Sequence, residues 1–94
     1  LTFSMLKTIS LLVSGKVHGV FFRQSTREKA KQLGITGTVR NNPNGTVSIL
    51  ATGEPAQLDQ LAAWSRTGPP DARVAQVIIQ DESLQSFNDF RILH

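Results

Sequence analysis

Polar and apolar residues alternate from Lys7 to Val17. Thr8, Ser10, Ser14 and Lys16 are polar and Ile9, Leu11, Val13 and Val17 apolar, a near period of two that predicts a strand with one buried face. Leu12 breaks the alternation and predicts partial cover on the other face. The period then changes. Phe22, Thr26, Ala30 and Leu33 share one stripe, with Arg23, Arg27, Glu28, Lys31 and Gln32 turned to water, so Phe22–Leu33 reads as a helix. Gly34 supplies a left-handed stop. Ile35–Asn42 reads as a second strand, with Val39 its clearest apolar member. Asn41-Asn42-Pro43-Asn44-Gly45 is a turn, and Asn-Gly before Val47, Ile49 and Ala51 predicts a hairpin returning through Thr46–Thr52. Pro55 suits the first turn of a second helix with Leu58, Leu61, Ala62 and Ser65 on its buried stripe, ended by Gly68-Pro69-Pro70. Arg73–Gln80 reads as a fourth strand, Asp81–Gln85 as a polar loop and Phe87–Leu93 as a short last strand.

The order is βαββαβ with a terminal strand. It predicts an α+β, ferredoxin-like sandwich: a mostly antiparallel sheet with both helices on one face. Right-handed crossovers place the first strand inside the sheet. Residues 5–94 are read as one domain. Leu1–Ser4 show little pattern and are read as an expression scar or a disordered N-terminus, with Met5 as the native start.

Composition narrows the classes. Of 94 residues, 39% are hydrophobic and 18% charged, which suits a single globular domain. With no cysteine, disulfides, a thiol nucleophile and Cys-based metal sites are excluded. No apolar run approaches the ~20 residues that span a bilayer, and no secretory leader pattern is evident. The expected location is the cytoplasm, with no membrane partner. The net charge of +3 favours anionic partners. The basic residues are scattered, however, and Thr8, Ser10, Ser48 and Ile49 stand on the strands where an RNA-binding sheet needs aromatics, so no nucleic-acid partner is expected.

The chemistry concentrates in Gly15-Lys16-Val17-His18-Gly19-Val20-Phe21-Phe22-Arg23. An apolar strand enters a glycine turn, and a helix follows with a cation in its first turn. Such a turn binds phosphate: glycine admits the anion close to the backbone, turn and helix-terminal N–H groups point at it, and arginine grips two oxygens. From these residues alone Arg23 is either that grip or a surface arginine. Asn41 is either a polar group in a site or a turn former, and the Asn-rich run favours the turn. Phe22 reads as core and Phe21 as rim. His18 is either a group beside the anion or a solvated loop histidine. Trp64 reads as helix packing and His94 as a loose chain end. Two histidines this far apart, without clustered carboxylates, predict no metal site and no cofactor.

The whole pattern resembles the acylphosphatase family. The match runs from about Met5 to Leu93 through Gly15-x-Val17-x-Gly19-Val20-x-Phe22-Arg23, Gly37-x-Val39-Arg40-Asn41, Gly45-x-Val47, Gly53, Gly68-Pro69-Pro70-x-Ala72-x-Val74 and Phe90-x-Ile92. The resemblance implies hydrolysis of acyl phosphates to a carboxylate and inorganic phosphate without a metal. It also implies that Arg23 binds the phosphate, that Asn41 holds the attacking water, and that the backbone of Gly15, Val17, His18, Gly19, Val20, Phe21 and Phe22 cradles the phosphoryl oxygens. The partners so implied are a small acyl phosphate and inorganic phosphate, as product and competitive inhibitor, acting on a monomer. Two positions depart from the family pattern: His18 stands where glutamine is usual, and Thr38 where an aromatic is frequent.

Overall fold

The alternation along the first segment becomes β1, Lys7–Lys16. The structure is a computed structural model and describes residues 5–94; the expected scar at Leu1–Ser4 lies outside the described residues. After β1 come α1 (Phe22–Leu33), β2 (Thr36–Asn41), β3 (Val47–Gly53), α2 (Pro55–Ser65), β4 (Arg73–Glu82) and β5 (Phe90–Leu93). The five strands form one sheet in the order β4-β1-β3-β2-β5. All pairs are antiparallel except β2 with β5. The ferredoxin-like α+β arrangement expected from the element order is the observed one, with β1 interior.

Register explains which side is buried. Ile9, Leu11 and Val13 face the same way as their β3 partners Ala51, Ile49 and Val47, and Val39 of β2 pairs with Ile49. All seven are buried. The helices cover this face, α1 over β2 and β5, α2 over β1, β3 and β4. Phe22, Thr26 and Ala30 of α1 and Leu58, Leu61, Ala62 and Ser65 of α2 point into the layer between. Trp64 packs against this core, its ring 5.6 Å from that of Phe22 at 49°. Gly34 ends α1 in the left-handed conformation. At the start of α2, Glu54 and Gln57 form a reciprocal capping box ahead of the first-turn proline.

The outer face is covered only at one end. Thr8 and Thr52 exchange a 2.6 Å hydrogen bond there. The loop after β4 closes over them: Gln85 N donates to Thr8 Oγ1 at 2.9 Å, and Thr52 Oγ1 donates to the Gln85 carbonyl at 2.8 Å. Leu12 lies beyond this cover and is partly open to solvent. The strands carry no aromatic side chain on this open face.

β2 and β3 differ from the expected strands by one residue at each end, and two other strand ends differ by more. β4 continues through Asp81 and Glu82, expected to be loop, because each finds a partner on β1. Lys7 pairs with Asp81 at 3.3 Å, and Ser10 Oγ donates to Glu82 at 2.8 Å. Being an edge strand, β4 carries these charges in water at little cost. β5 starts at Phe90 instead of Phe87, since the Asp89 carbonyl already accepts from Gly37 N at 2.9 Å and pairing with β2 begins just after it.

Gly15, expected in the phosphate cradle, occupies a bulge at the end of β1. The β1–β4 register shifts between Ser14 and Gly15, and Gly15 has φ 122°. A Cβ there would overlap the Arg73 carbonyl oxygen and stand 2.7 Å from Ala75 N. The bulge turns the end of β1 toward the following loop. Gly15→Ala is therefore expected to destabilise the fold by at least about 1–3 kcal/mol from the backbone dihedral alone. Thermal unfolding should show a midpoint lowered by about 5 °C or more; an unchanged midpoint would mean that the bulge relaxes freely.

Candidate active site

Beyond β1 the chain alternates anchors and open positions. Val17, Val20 and Phe22 are buried, and Gly19 and Phe21 face solvent. Gly19 has φ 71°, and a Cβ built there meets nothing within 4 Å, so its glycine answers to backbone conformation and open approach. Phe21 is also left-handed, at φ 64°, the one non-glycine among the described residues with positive φ. An exposed phenylalanine held this way stores about 1–2 kcal/mol of strain. Such strain collects where backbone geometry serves a ligand.

Phe21 is the N-cap of α1 and makes no side-chain cap bond, and the first turn holds no acidic residue. The first main-chain bond of the helix runs from Ser25 N to the Phe21 carbonyl at 3.0 Å. The N–H groups of Phe22, Arg23 and Gln24 come before it and have no partner within the helix. The positive end of the helix dipole is thus left free for an anion. Arg23 is half-buried at this end and has no ion pair among the described residues.

A cavity of about 370 Å³ opens at this point. It brings together Val17, Gly19, Phe21, Phe22 and Arg23 with Asn41, the last residue of β2. No carboxylate side chain lines it. Asn41 Oδ1 is buried and has no hydrogen-bond partner. A buried acceptor left unpaired costs about 1–3 kcal/mol unless a water or ligand meets it. The one other such atom among the described residues is Arg27 Nε, outside this cavity.

Three expected cradle residues do not line the cavity. Gly15 lies back in the bulge, Val20 is buried beneath, and the His18 side chain turns to the Thr46 carbonyl at 2.9 Å. Three others line it without having been expected: Gln24, Ile92 and His94. Gln24 is there because the third residue of a helix shares the exposed N-terminal turn. β5 runs parallel to β2, with Arg40 opposite Leu93, so it delivers the chain end beside Asn41. His94, expected as a loose chain end, is exposed and lines the edge of the cavity. The closing Phe90-x-Ile92 pattern was the available signal for this edge. No group of three His, Asp or Glu side chains capable of holding a metal occurs among the described residues.

Comparison with known proteins places this geometry. A family model described as acylphosphatase matches residues 9–92. The chain is 53% identical over 85 residues, 89% of its own length and 92% of the relative's, to an acylphosphatase of Marinobacter nauticus. The structure is similar to that of an acylphosphatase from Coxiella burnetii, with a TM-score of 0.91, 41% identity and coverage of 94% and 93% of the two chains. It is also similar to the acylphosphatase of Bacillus subtilis, with a TM-score of 0.91, 30% identity and coverage of 96% and 100%.

Proposed function

The chain belongs to the acylphosphatase family, and from that premise we propose that it hydrolyses acyl phosphates at the cavity between the 17–24 turn and Asn41. The observation that carries this reading is that Asn41, whose Oδ1 is buried and unpartnered, lines the same cavity as an uncapped helix N-terminus and Arg23. One side suits a phosphoryl group, the other a water.

An acyl phosphate leaves a carboxylate, so no general acid is needed to expel it. The phosphoryl group rests on the turn and first-turn N–H groups, with Arg23 on its peripheral oxygens. These donors are fixed before reaction and aimed where charge is held in the transition state. Asn41 Oδ1 accepts a hydrogen bond from water and orients its oxygen toward phosphorus. The water oxygen bonds to phosphorus as the bond from phosphorus to the acyl oxygen breaks. One water proton passes to a phosphoryl oxygen and the other stays on the attacking oxygen, so a dianionic acyl phosphate gives a carboxylate and dihydrogen phosphate. Phe21, at the mouth, gives the acyl part an apolar wall. Inorganic phosphate occupies the same donors and competes with substrate. Every group in this scheme comes from one chain, which fits action as a monomer.

Turnover of a simple aryl acyl phosphate, followed by ultraviolet absorbance, tests the reading. Hydrolysis is expected to proceed at the same rate in EDTA, because Arg23 and the amide groups supply the positive field. Phosphate binding without any turnover would assign an anion-binding module instead. Loss of activity in EDTA, restored by a divalent ion, would overturn the metal-free scheme.

A further inference from the structure

The ring of His18 joins two parts of the site that are far apart in sequence. Its Nε2 lies 2.9 Å from the main-chain oxygen of Thr46, in a partly buried position. A carbonyl oxygen only accepts, so Nε2 carries the proton and Nδ1 is the bare nitrogen of the neutral ring. The same Thr46 oxygen accepts the Asn42 N–H at 2.8 Å. Asn42 Nδ2 donates to Thr46 Oγ1 at 2.9 Å and to Ser48 Oγ at 2.7 Å. Asn44 Oδ1 accepts from Thr46 Oγ1 at 2.6 Å and from Thr46 N at 3.2 Å. The β2–β3 hairpin is thus tied at almost every polar group. Asn41 is the residue next to this knot and pairs with Val47. Among the described residues, His18 makes the one hydrogen bond between the 17–22 turn and the hairpin.

We propose that His18 is a positioning residue: its Nε2–H bond to Thr46 sets the spacing between the phosphoryl cradle and the water held by Asn41. The inference rests on the hydrolytic reading above. In-line attack depends on that spacing, and a displacement of about 1 Å costs about a hundredfold in rate. Phosphate held by the turn amides and Arg23 does not need Asn41. The signature of the tether is therefore a loss of kcat without a matching loss of phosphate inhibition.

Three variants separate positioning from bulk and from chemistry. His18→Ala is expected to lower kcat about ten- to a hundredfold while inhibition by inorganic phosphate stays nearly unchanged. His18→Gln puts an amide N–H where Nε2–H stood and is expected to restore most of kcat. His18→Asn puts its amide at the level of Nδ1, too short for Thr46, and is expected to stay as slow as alanine. Undiminished kcat in His18→Ala, equal rates for glutamine and asparagine, or phosphate affinity falling in step with kcat would each overturn the tether. Nitrogen-15 shifts of the imidazole in the unaltered protein, in alkaline buffer, give a readout free of turnover. They are expected to show the Nε2–H tautomer, and the Nδ1–H tautomer would overturn the bond even if a variant failed to fold. Absence of acyl phosphate turnover in the unaltered protein would instead defeat the hydrolytic reading, and the tautomer would still judge the bond to Thr46.

Discussion

Replacing Arg23 with alanine is expected to remove nearly all hydrolysis and most inhibition by inorganic phosphate. Arg23 lines the cavity at the free end of α1, and no acidic side chain there competes for it. A hydrogen bond to a charged group contributes about 1.5–3 kcal/mol to binding, roughly ten- to a hundredfold in affinity. The contribution grows where the charge belongs to a transition state held away from water. Arg23→Lys keeps the charge but loses the planar fork, and an intermediate defect is expected. The fold should be indifferent to either change, because Arg23 makes no ion pair among the described residues and sits outside the buried stripe of α1. Steady-state rates with phosphate as competitor decide the matter. Normal turnover with normal phosphate inhibition in Arg23→Ala would move the anion site elsewhere.

Asn41→Ala is expected to lower kcat at least about a hundredfold with phosphate inhibition nearly intact. Its side chain is assigned to the water and not to the phosphoryl group, so its effect belongs to the transition state. The structure adds a second expectation. Truncating a polar group that is already unpaired removes a penalty of about 1–3 kcal/mol, so the unfolding midpoint should hold or rise. The main chain of Asn41 remains paired with Val47 in the hairpin. Less activity with equal or greater stability would mark a residue placed for chemistry. Phosphate affinity falling in parallel with kcat would make Asn41 a ligand of the substrate, and a large drop in midpoint would mean its oxygen has a partner in solution.

Much of the fold was legible because one face of the sheet is buried and the other is mostly open. That asymmetry imposes the alternation seen at Ile9, Leu11 and Val13 and again at Val47, Ile49 and Ala51. Periodicity does not report pairing at an edge, so Asp81 and Glu82 read as loop although β1 holds them in β4. Nor does it report where backbone conformation is forced. Gly15 was legible as a special glycine, but the bulge against β4 that requires it there was not. Phe21 is the opposite case: nothing in an aromatic side chain foretells a left-handed backbone, which the turn and α1 impose from both sides. Within the site, Arg23 and Asn41 were legible from the motif that resembles the family. The position of His94 depends on β5 running parallel to β2, a tertiary fact without a local signal.

The parallel β2–β5 pairing has a consequence for how the molecule forms. β5 is last in the chain, yet its neighbour in the sheet is β2, with β3, α2 and β4 intervening in sequence. Closing so long a loop is entropically slow, and topologies dominated by distant pairings fold in milliseconds to seconds where helical bundles need microseconds to milliseconds. α1 and its uncapped end are local and can form early. The cavity wall at Ile92 and His94 arrives only when the edge is zipped on. During refolding, recovery of helical circular dichroism should therefore run ahead of recovery of phosphate-protectable Arg23, and a chain released from the ribosome before its last strand is threaded would carry the anion-facing turn without an enclosed reaction chamber.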